Sequence, residues 1–162
     1  HEIIHDEILQ FLGESAIATV ENHHNFAWKE KIGLREVIVH RKGATPASKG
    51  ALGVIPGSMA DPGFVVRGLG NEDALCSAAH GAGRVMSRNA AMKQFSFKQM
   101  QDILTQKQIS LISAGLDEIP MAYKNIIDVM NQQKGLVEIV ATFEPKMVKM
   151  APPGRKKRRK RR

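Results

Sequence analysis

The stretch SAAHGAGRVMSR (77–88) places a single histidine, His80, among alanine and glycine residues and follows it with Arg84 and Arg88. Small neighbours allow a large group to approach an imidazole ring closely, because they put little side-chain bulk around it. The stretch alone does not identify that group. A histidine packed among small residues at the start of a helix is the simpler interpretation of these residues taken by themselves.

Adjacent histidines in a second segment, ENHHN (21–25), suggest metal binding. Neutral imidazole is the commonest protein ligand for zinc, manganese or iron. On an extended backbone His23 and His24 point to opposite faces, so that one ligates a metal while the other orients it. Two surface histidines on a turn are an equally simple interpretation.

The first five residues, HEIIH, fit the pattern H-E-x-x-H of zinc proteases. On a helix His1 and His5 share one face, with Glu2 as the general base and Glu14 or Glu21 as a third ligand. His1 is the terminal residue, where a helix frays, and a five-residue pattern arises readily by chance. A zinc metalloprotease is therefore only a remote alternative.

Two further segments have the composition of anion sites. HRKGATPA (40–47) places Arg41 and Lys42 before a glycine at the end of a strand, where cations and backbone can hold a phosphate. A solvated charged turn is the simpler interpretation of the same residues. The loop PGSMADPG (56–63) is rich in turn residues that can present N–H groups to an anion, but by itself it identifies no ligand.

The net charge of +8 comes from the end of the chain, where residues 155–162 read RKKRRKRR. Without these eight cations, 16 Lys and Arg face 16 Asp and Glu, so the rest of the chain is formally neutral. Residues 152–162 are expected to be a disordered basic tail, since like charges repel and nothing apolar is available to bury. Such a tail fits nucleic-acid binding, nuclear localisation or an appended expression tag equally well.

Length and composition fit one domain, because 162 residues with 43% hydrophobic content suffice for a single core. The sequence contains neither an apolar run long enough to span a membrane nor a signal peptide, which predicts a cytoplasmic protein without a membrane partner. Its one cysteine, Cys76, excludes an internal disulfide. The absence of an initial methionine is consistent with a piece of a longer protein.

The helical positions follow from spacing and capping residues. Apolar residues at helical spacing predict an opening helix that ends at Gly13. Ser96 and Gln99 form a capping box ahead of an amphipathic helix over 97–107. A further helix is predicted over 120–132, with Pro120 in its first turn.

Strands are predicted from β-branched and alternating segments. AIATV (16–20) and REVIVH (35–40) are expected to flank a turn, and LGVI (52–55) and FVVRG (64–68) to flank a loop. LVEIVATFEPKMVKM is predicted as one closing strand, with one face formed by Val137, Ile139, Ala141 and Phe143. The predicted class is α+β, with mixed sheets, flanking helices and no internal repeat.

Six segments in order resemble the RtcB family of RNA ligases, also called tRNA-splicing ligases. They are ENHHNFA, VIVHRKGATPA, IPGSMADPGFVVRG, SAAHGAGRVMSR, IPMAYKNI and LVEIVATFEPKMVKMA, and together they cover nearly all of 15–151. Each is weak alone, but their order is specific. Members of that family join an RNA 3′-phosphate or 2′,3′-cyclic phosphate to a 5′-hydroxyl, using GTP and Mn²⁺ through a covalent histidine–GMP intermediate. The resemblance therefore implies RNA and GTP as partners and a role in tRNA splicing or RNA repair.

The resemblance also implies roles for individual residues. His80 is the expected nucleophile, and His24 is the expected manganese ligand close to the nucleotide. The other expected nucleotide-binding residues are Asn25, Pro56, Gly57, Ser58, Met59, Gly81, Ala82, Gly83, Tyr123 and Lys149. The expected contacts to RNA phosphate are Arg41, Lys42, Arg84 and Arg88. As alternatives, Tyr123 is an ordinary helix-face aromatic and Lys149 a surface lysine.

The sequence also departs from the family pattern. The family's G-S-M-G loop, followed shortly by serine, has Ala60 in place of the last glycine and Gly63 in place of the hydroxyl residue. Family members are much longer, and their amino-terminal half supplies further Asp, Cys and His metal ligands. Residues 1–151 are therefore expected to be a carboxy-terminal portion that requires the missing half or an activating protein. An inactive RNA- or nucleotide-binding remnant is the alternative.

Overall fold

The computed structural model describes residues 2–21, 23 and 25–151. The helices within these residues are α1 (Glu2–Leu12), α2 (Arg88–Gln94), α3 (Phe97–Gln106) and α4 (Ile126–Asn131). The strands are β1 (Asn25–Ile32), β2 (Arg35–Lys42), β3 (Ala44–Pro46), β4 (Leu52–Pro56), β5 (Gly63–Gly68), β6 (Ser77–Ala79), β7 (Ser110–Ser113), β8 (Val137–Phe143) and β9 (Met147–Lys149). His1, His24 and the predicted tail at 152–162 lie outside the described residues.

The strands of the described chain form several small sheets. β1 and β2 make an antiparallel hairpin, β3 pairs with β6, and β5 lies between β4 and β8 in an antiparallel sheet. β7 and β9 pair in parallel. With helices beside these sheets, the predicted α+β class is confirmed. None of the helices that the structure describes combines the length and apolar composition that a membrane crossing requires.

Two clusters of buried apolar side chains form the core. The first centres on α3, where Met100 and Leu104 are fully buried. The second centres on the β4–β5–β8 sheet, with Ile55 and Val66 as its most buried strand residues. Tyr123 packs against both clusters. The segment that carries Tyr123 is therefore fixed between the two halves of the core.

Two of the predicted helices agree with the structure and one does not. α1 ends just before Gly13, which adopts a positive φ of 69°, and the predicted capping box of Ser96 and Gln99 begins α3. The prediction of one helix over 120–132 is wrong. A 3₁₀ turn at Pro120–Ala122 is followed by extended backbone, and α4 begins only after Asn125, whose side chain accepts from the Ile127 N–H.

Tertiary pairing decides this difference. Tyr123 forms a β-bridge with Arg84 and is therefore extended where the predicted helix would continue. The first residue of α4 thus needs a new cap, which Asn125 provides.

The strand predictions also need corrections. REVIVH, LGVI and FVVRG lie in β2, β4 and β5 as predicted, but AIATV forms no strand. The segment predicted as a polar turn instead contains β1, and the hairpin turn lies at Gly33, with a positive φ of 57°. Lys29 and Lys31 lie on the exposed face of this two-stranded ribbon, and Glu30 on the other face pairs with Arg41.

The closing segment is two strands rather than one. β8 pairs with β5, whereas β9 pairs with β7, and Pro145 between them has no N–H for a continuous ladder. A bulge in β8 places Ile139 opposite Val66 and Ala141 opposite Val65, so Val140 has no partner in the register. The bulge interrupts the predicted alternation, and Val137 alone of the four residues predicted on one face is buried.

Candidate active site

His80 follows β6 and lies in a bend, not at the start of a helix. Pairing of β6 with β3 sets Ala79 opposite Ala44 and so brings the end of β6 beside the turn that follows β2. At that turn Gly43 has a positive φ of 77°, and a Cβ built on it would lie 3.9 Å from Cε1 of His80. The half-buried His80 ring is therefore held beside the β2–β3 turn.

The glycines and alanine after His80 pack against the end of β4. The Ala82 N–H donates to the Pro56 carbonyl at 3.1 Å. A Cβ added to Gly81 would lie 3.2 Å from the same oxygen, which favours glycine there. Gly83 accepts a hydrogen bond from the Lys124 N–H at 2.9 Å. The small residues thus allow the segment after His80 to lie between the Pro56 loop and the Tyr123 segment.

The loop after β4 is held closed by side chains at its far end. The Ser58 hydroxyl donates to Oδ2 of Asp61 at 2.5 Å and accepts from the Ala60 N–H at 3.2 Å. Lys107, just after α3, donates to Oδ1 of Asp61 at 2.9 Å and to the Ala60 carbonyl at 2.7 Å. Together these bonds fix the backbone of residues 56–61.

Arg84 lies against Tyr123 in a hydrogen-bonded group with two acidic residues. Its guanidinium is 4.9 Å from the Tyr123 ring centroid and donates to the phenol oxygen at 3.0 Å. It also donates to the Asp117 and Met86 carbonyls at 2.6 and 3.0 Å. The Tyr123 hydroxyl donates to Glu118.

Arg88 extends this group towards solvent. Its guanidinium pairs with Oε1 of Glu118 at 2.8 Å and lies 3.6 Å from Oδ2 of Asp117. The Arg88 side chain remains 67% exposed, compared with 23% for Arg84. Arg88 is therefore the more accessible of the two cations.

Burial is the main reason why the pKa of Tyr123 lies above its usual value of 10.0. The hydrogen bond to Glu118 and the negative charge of Glu118 raise this pKa further. Arg84 partly offsets these effects, because its positive charge favours the phenolate. Tyr123 is therefore a neutral hydrogen-bond donor at physiological pH.

Most of the predicted site residues line one pocket of about 400 Å³. The β4 loop contributes Pro56, Gly57, Ser58 and Met59, and the segment after β6 contributes His80, Gly81, Ala82, Gly83, Arg84 and Arg88. Glu118, Tyr123 and Met150 complete the lining. Segments far apart in the sequence thus meet around the imidazole of His80.

Other predicted residues lie outside this lining. Lys149 is exposed on β9, beside the pocket residue Met150. Asn25 lies opposite the exposed Lys42 in the β1–β2 hairpin, and its side-chain oxygen lies 2.7 Å from Nε2 of His40. Their predicted contacts to nucleotide and RNA stay predictions.

Arg41 is the clear exception among the predicted RNA contacts. Its side chain is 1% exposed, and two nitrogens bond the two oxygens of Glu30 at 2.6 and 2.7 Å. It also donates to the hydroxyl of Ser77 at 2.8 Å. The structure thus corrects the sequence prediction: Arg41 holds protein groups, and its burial leaves no surface for an RNA phosphate.

The residues that the structure describes contain no group of three His, Cys, Asp or Glu side chains able to hold a metal ion. His5 lies 3.6 Å from Glu21, one of the two residues predicted as the third zinc ligand. His1 lies outside the described residues, so the zinc-protease pattern stays a prediction. His24, the predicted manganese ligand, is also outside them. The described residues therefore do not by themselves make a manganese site.

The sequence model of the family described as tRNA-splicing ligase RtcB matches residues 2–150. The chain belongs to the RtcB family. It is 46% identical over 128 residues to RNA-splicing ligase RtcB of Escherichia coli K12, a match that covers 79% of this chain and 31% of that protein. It is also 35% identical over 152 residues to tRNA-splicing ligase RtcB of Pyrococcus furiosus, covering 80% of this chain and 15% of the relative.

RNA-splicing ligase RtcB of Mycobacterium tuberculosis is similar as well, with 36% identity over 131 residues, 69% of this chain and 30% of that protein. The chain spans about a third or less of the length of these curated RtcB relatives. The shared region contains the whole pocket, since the family match includes every residue that lines it.

Several residues that shape the pocket around His80 were not predicted. Asp117 and Glu118 hold the arginines and Tyr123, and their position just before IPMAYK was a usable signal. Gln133 is buried and accepts a hydrogen bond from the Ala79 N–H at 2.5 Å. No sequence spacing predicted this contact, because it joins residues 54 positions apart.

The structure also explains one departure from the family pattern. A Cβ at Gly63 would lie 2.3 Å from Cζ of Phe143, so any side chain there requires the ring to move. The other substituted residue, Ala60, is buried in the first core cluster, and its carbonyl accepts from Lys107. The loop therefore has a core alanine where the family pattern has a glycine, and a glycine against the Phe143 ring where that pattern has a hydroxyl residue.

Proposed function

We propose that this chain carries the nucleophile-bearing part of a GTP-dependent RNA ligase. The reaction joins an RNA 3′-phosphate or 2′,3′-cyclic phosphate end to a 5′-hydroxyl end in cytoplasmic tRNA splicing or RNA repair. Membership of the RtcB family supports RNA as the substrate class. The observation that carries the proposal is the pocket around His80, which joins the imidazole to loop backbone and two arginines.

The proposed chemistry proceeds through a covalent bond to His80. A neutral imidazole nitrogen attacks the α-phosphorus of GTP, a phosphorus–nitrogen bond forms, and pyrophosphate leaves. Water first opens a 2′,3′-cyclic end to a 3′-phosphate. The RNA 3′-phosphate then attacks the same phosphorus, which breaks that bond and transfers GMP to the RNA end. The 5′-hydroxyl attacks the activated RNA phosphate, and GMP leaves as the new phosphodiester forms.

Residues around His80 have separate tasks in this reaction. Ser58, Gly81 and Gly83 line the pocket, and their small side chains leave room for the phosphate of a ligand. Arg84 stabilises negative charge while its position is fixed by the Asp117 carbonyl and Tyr123. Arg88, which is mostly exposed, meets the incoming RNA phosphate.

Tyr123 is proposed to lie against the guanine base. Its ring has Arg84 over one side, and its hydroxyl is fixed by Glu118, so its orientation is set before a ligand arrives. Lys149 and Asn25 are proposed to contact the nucleotide from the edges of the site.

Manganese is part of the proposal through His24. The described residues do not supply a complete ligand set, so we derive no step through the metal. The proposal assigns the remaining ligands to protein outside residues 2–151, and the metal's task when bound is to orient the triphosphate and neutralise its charge.

The test is transfer of label from GTP labelled at its α-phosphate. The chain is supplied in trans with the portion of Escherichia coli RtcB that the match leaves out, together with Mn²⁺. We expect a protein adduct that is acid-labile and alkali-stable, as a phosphorus–nitrogen bond requires. His80→Ala should remove it, whereas Arg84→Met should slow its formation without abolishing it.

His5→Ala is the matched control, because His5 lies outside the pocket around His80. Its labelling should equal that of the unchanged chain. Labelling that persists in His80→Ala would refute the mechanism. RNA and GTP binding without any adduct in the complemented protein would instead support the inactive remnant.

A further inference from the structure

The guanidinium of Arg41 is the centre of a buried cluster that also contains Glu30, Ser77 and the carbonyls of Leu75 and Cys76. Besides its paired bonds to Glu30 and its bond to Ser77, it donates to the Leu75 carbonyl at 2.9 Å and to the Cys76 carbonyl at 3.3 Å. The guanidinium also lies 5.1 Å from the Trp28 ring centroid. We call these residues the Arg41 cluster.

The backbone that Arg41 holds is strained. Leu75 and Cys76 are consecutive non-glycine residues with positive φ values of 50° and 46°. L-residues adopt this conformation rarely, and it persists only when surrounding contacts enforce it. Two of the enforcing contacts are the bonds from Arg41 to the carbonyls of these same residues.

The strained turn leads directly to His80. Ser77, which accepts from Nε of Arg41, is the first residue of β6, and His80 follows the last. At the other end of β6, the buried side chain of Gln133 accepts from the Ala79 N–H. Buried polar side chains thus hold both ends of the three-residue strand. The two contacts together set the orientation of His80, which follows the strand.

We propose that Arg41 is a positioning residue for His80. It holds the left-handed turn at Leu75 and Cys76, and the turn sets the register of β6 that directs the imidazole into the pocket. The expected effect of Arg41 on the reaction rate rests on the proposed nucleophilic role of His80. The expected effect of Arg41 on the position of the His80 ring does not.

The first experiment measures the position of the ring in the full chain by proton NMR of the histidine side chains. The signal of His80 is assigned by its loss in His80→Ala. Both Arg41→Met and Arg41→Lys should shift or broaden this signal, because lysine keeps the charge but cannot bond Glu30, Ser77 and two carbonyls together. Far-ultraviolet circular dichroism reports whether the chain remains folded.

The second experiment measures label transfer from GTP in the complemented protein. We expect Arg41→Lys to lower the maximal rate of adduct formation by roughly 100-fold, the cost of misplacing a reacting group by about 1 Å. The KM for GTP should stay near that of the unchanged protein, since Arg41 lies outside the pocket lining.

Arg67→Met is the matched control, because Arg67 is a half-exposed strand arginine paired with Glu138 at 3.5 Å. It should change neither the His80 signal nor the rate. If Arg41→Met does not fold, Ser77→Ala, which removes one acceptor of the cluster, should still shift the His80 signal.

An Arg41→Lys chain with an unchanged His80 signal and an unchanged rate would overturn the inference. If the unchanged complemented protein forms no adduct, the proposed function fails by itself. The NMR comparison then still decides whether Arg41 sets the position of His80.

Discussion

Two arginine clusters border the segment that carries His80, and they differ in burial. The guanidinium of Arg41 faces protein groups on all sides with a side chain 1% exposed, whereas Arg88 shares Glu118 with Arg84 and is 67% exposed. Both clusters pair arginine with glutamate. The comparison indicates that the solvent exposure of the ion pair, rather than the sequence motif, decides whether such an arginine binds protein groups or remains accessible to a ligand.

The difference in burial changes how much each ion pair contributes to the stability of the fold. A buried ion pair has lost its water, so removing one partner leaves an uncompensated charge. An exposed pair keeps much of its hydration and contributes little to stability. Arg41 is therefore expected to stabilise the fold and direct His80, while Arg88 remains available to an anion.

The largest expected effect is on stability. Arg41→Met should lower the free energy of unfolding by about 3–5 kcal/mol, because it leaves the carboxylate of Glu30 largely buried without its partner. Arg88→Met should lower it by less than about 1 kcal/mol. Urea unfolding followed by circular dichroism measures both.

The double variant Arg41→Met with Glu30→Gln separates the ion pair from general packing. It should recover part of the loss, since the unpaired carboxylate is gone. Equal losses in the free energy of unfolding for Arg41→Met and Arg88→Met would contradict the distinction between the two clusters.

The sequence predicted most residues of the pocket but not the burial of Arg41, which lies outside the pocket. Capping and periodicity placed α1 and α3 correctly, because local residues determine where these helices begin and end. The burial of Arg41 depends on Glu30 across the hairpin and on the turn at Leu75. These contacts join residues that are 11 and 34 positions apart in the sequence, so a local pattern of charges does not predict them.

The same limit explains the incorrect helix at 120–132. Pro120 and the apolar residues after it are compatible with a helix, but the bridge between Arg84 and Tyr123 requires extended backbone. Pairing with the segment that follows His80 outweighs local propensity here. The error thus lies where the pocket around His80 is assembled.

A second prediction concerns the protonation of Tyr123, the single tyrosine of the chain. Glu118→Gln should lower the pKa of Tyr123 towards its usual value, since the carboxylate that raises it is gone while Arg84 still favours the phenolate. Arg84→Met should raise it instead. Titration of the phenolate absorbance measures both changes directly.

The raised pKa also predicts how stability depends on pH. The folded state holds the phenol proton more tightly than the unfolded state, so the contribution of Tyr123 is complete below pH 10.0 and is lost as pH rises through the folded pKa. Glu118→Gln should reduce this alkaline loss. A Tyr123 titration that moves the same way in both variants would contradict the opposing effects of Glu118 and Arg84.

The smallest expected effect is on the salt dependence of RNA binding, measured with the complemented protein. If Arg88 contacts a phosphate, Arg88→Met should reduce the slope of log affinity against log salt by about one unit, because one counterion fewer is released. Arg67→Met, which removes the same charge outside the pocket, is the control. Glu118→Gln should act oppositely and strengthen binding, since Arg88 then loses the carboxylate that competes with RNA phosphate. An unchanged slope in Arg88→Met would mean that Arg88, despite its exposure, binds only Glu118 within the protein and does not contact RNA phosphate.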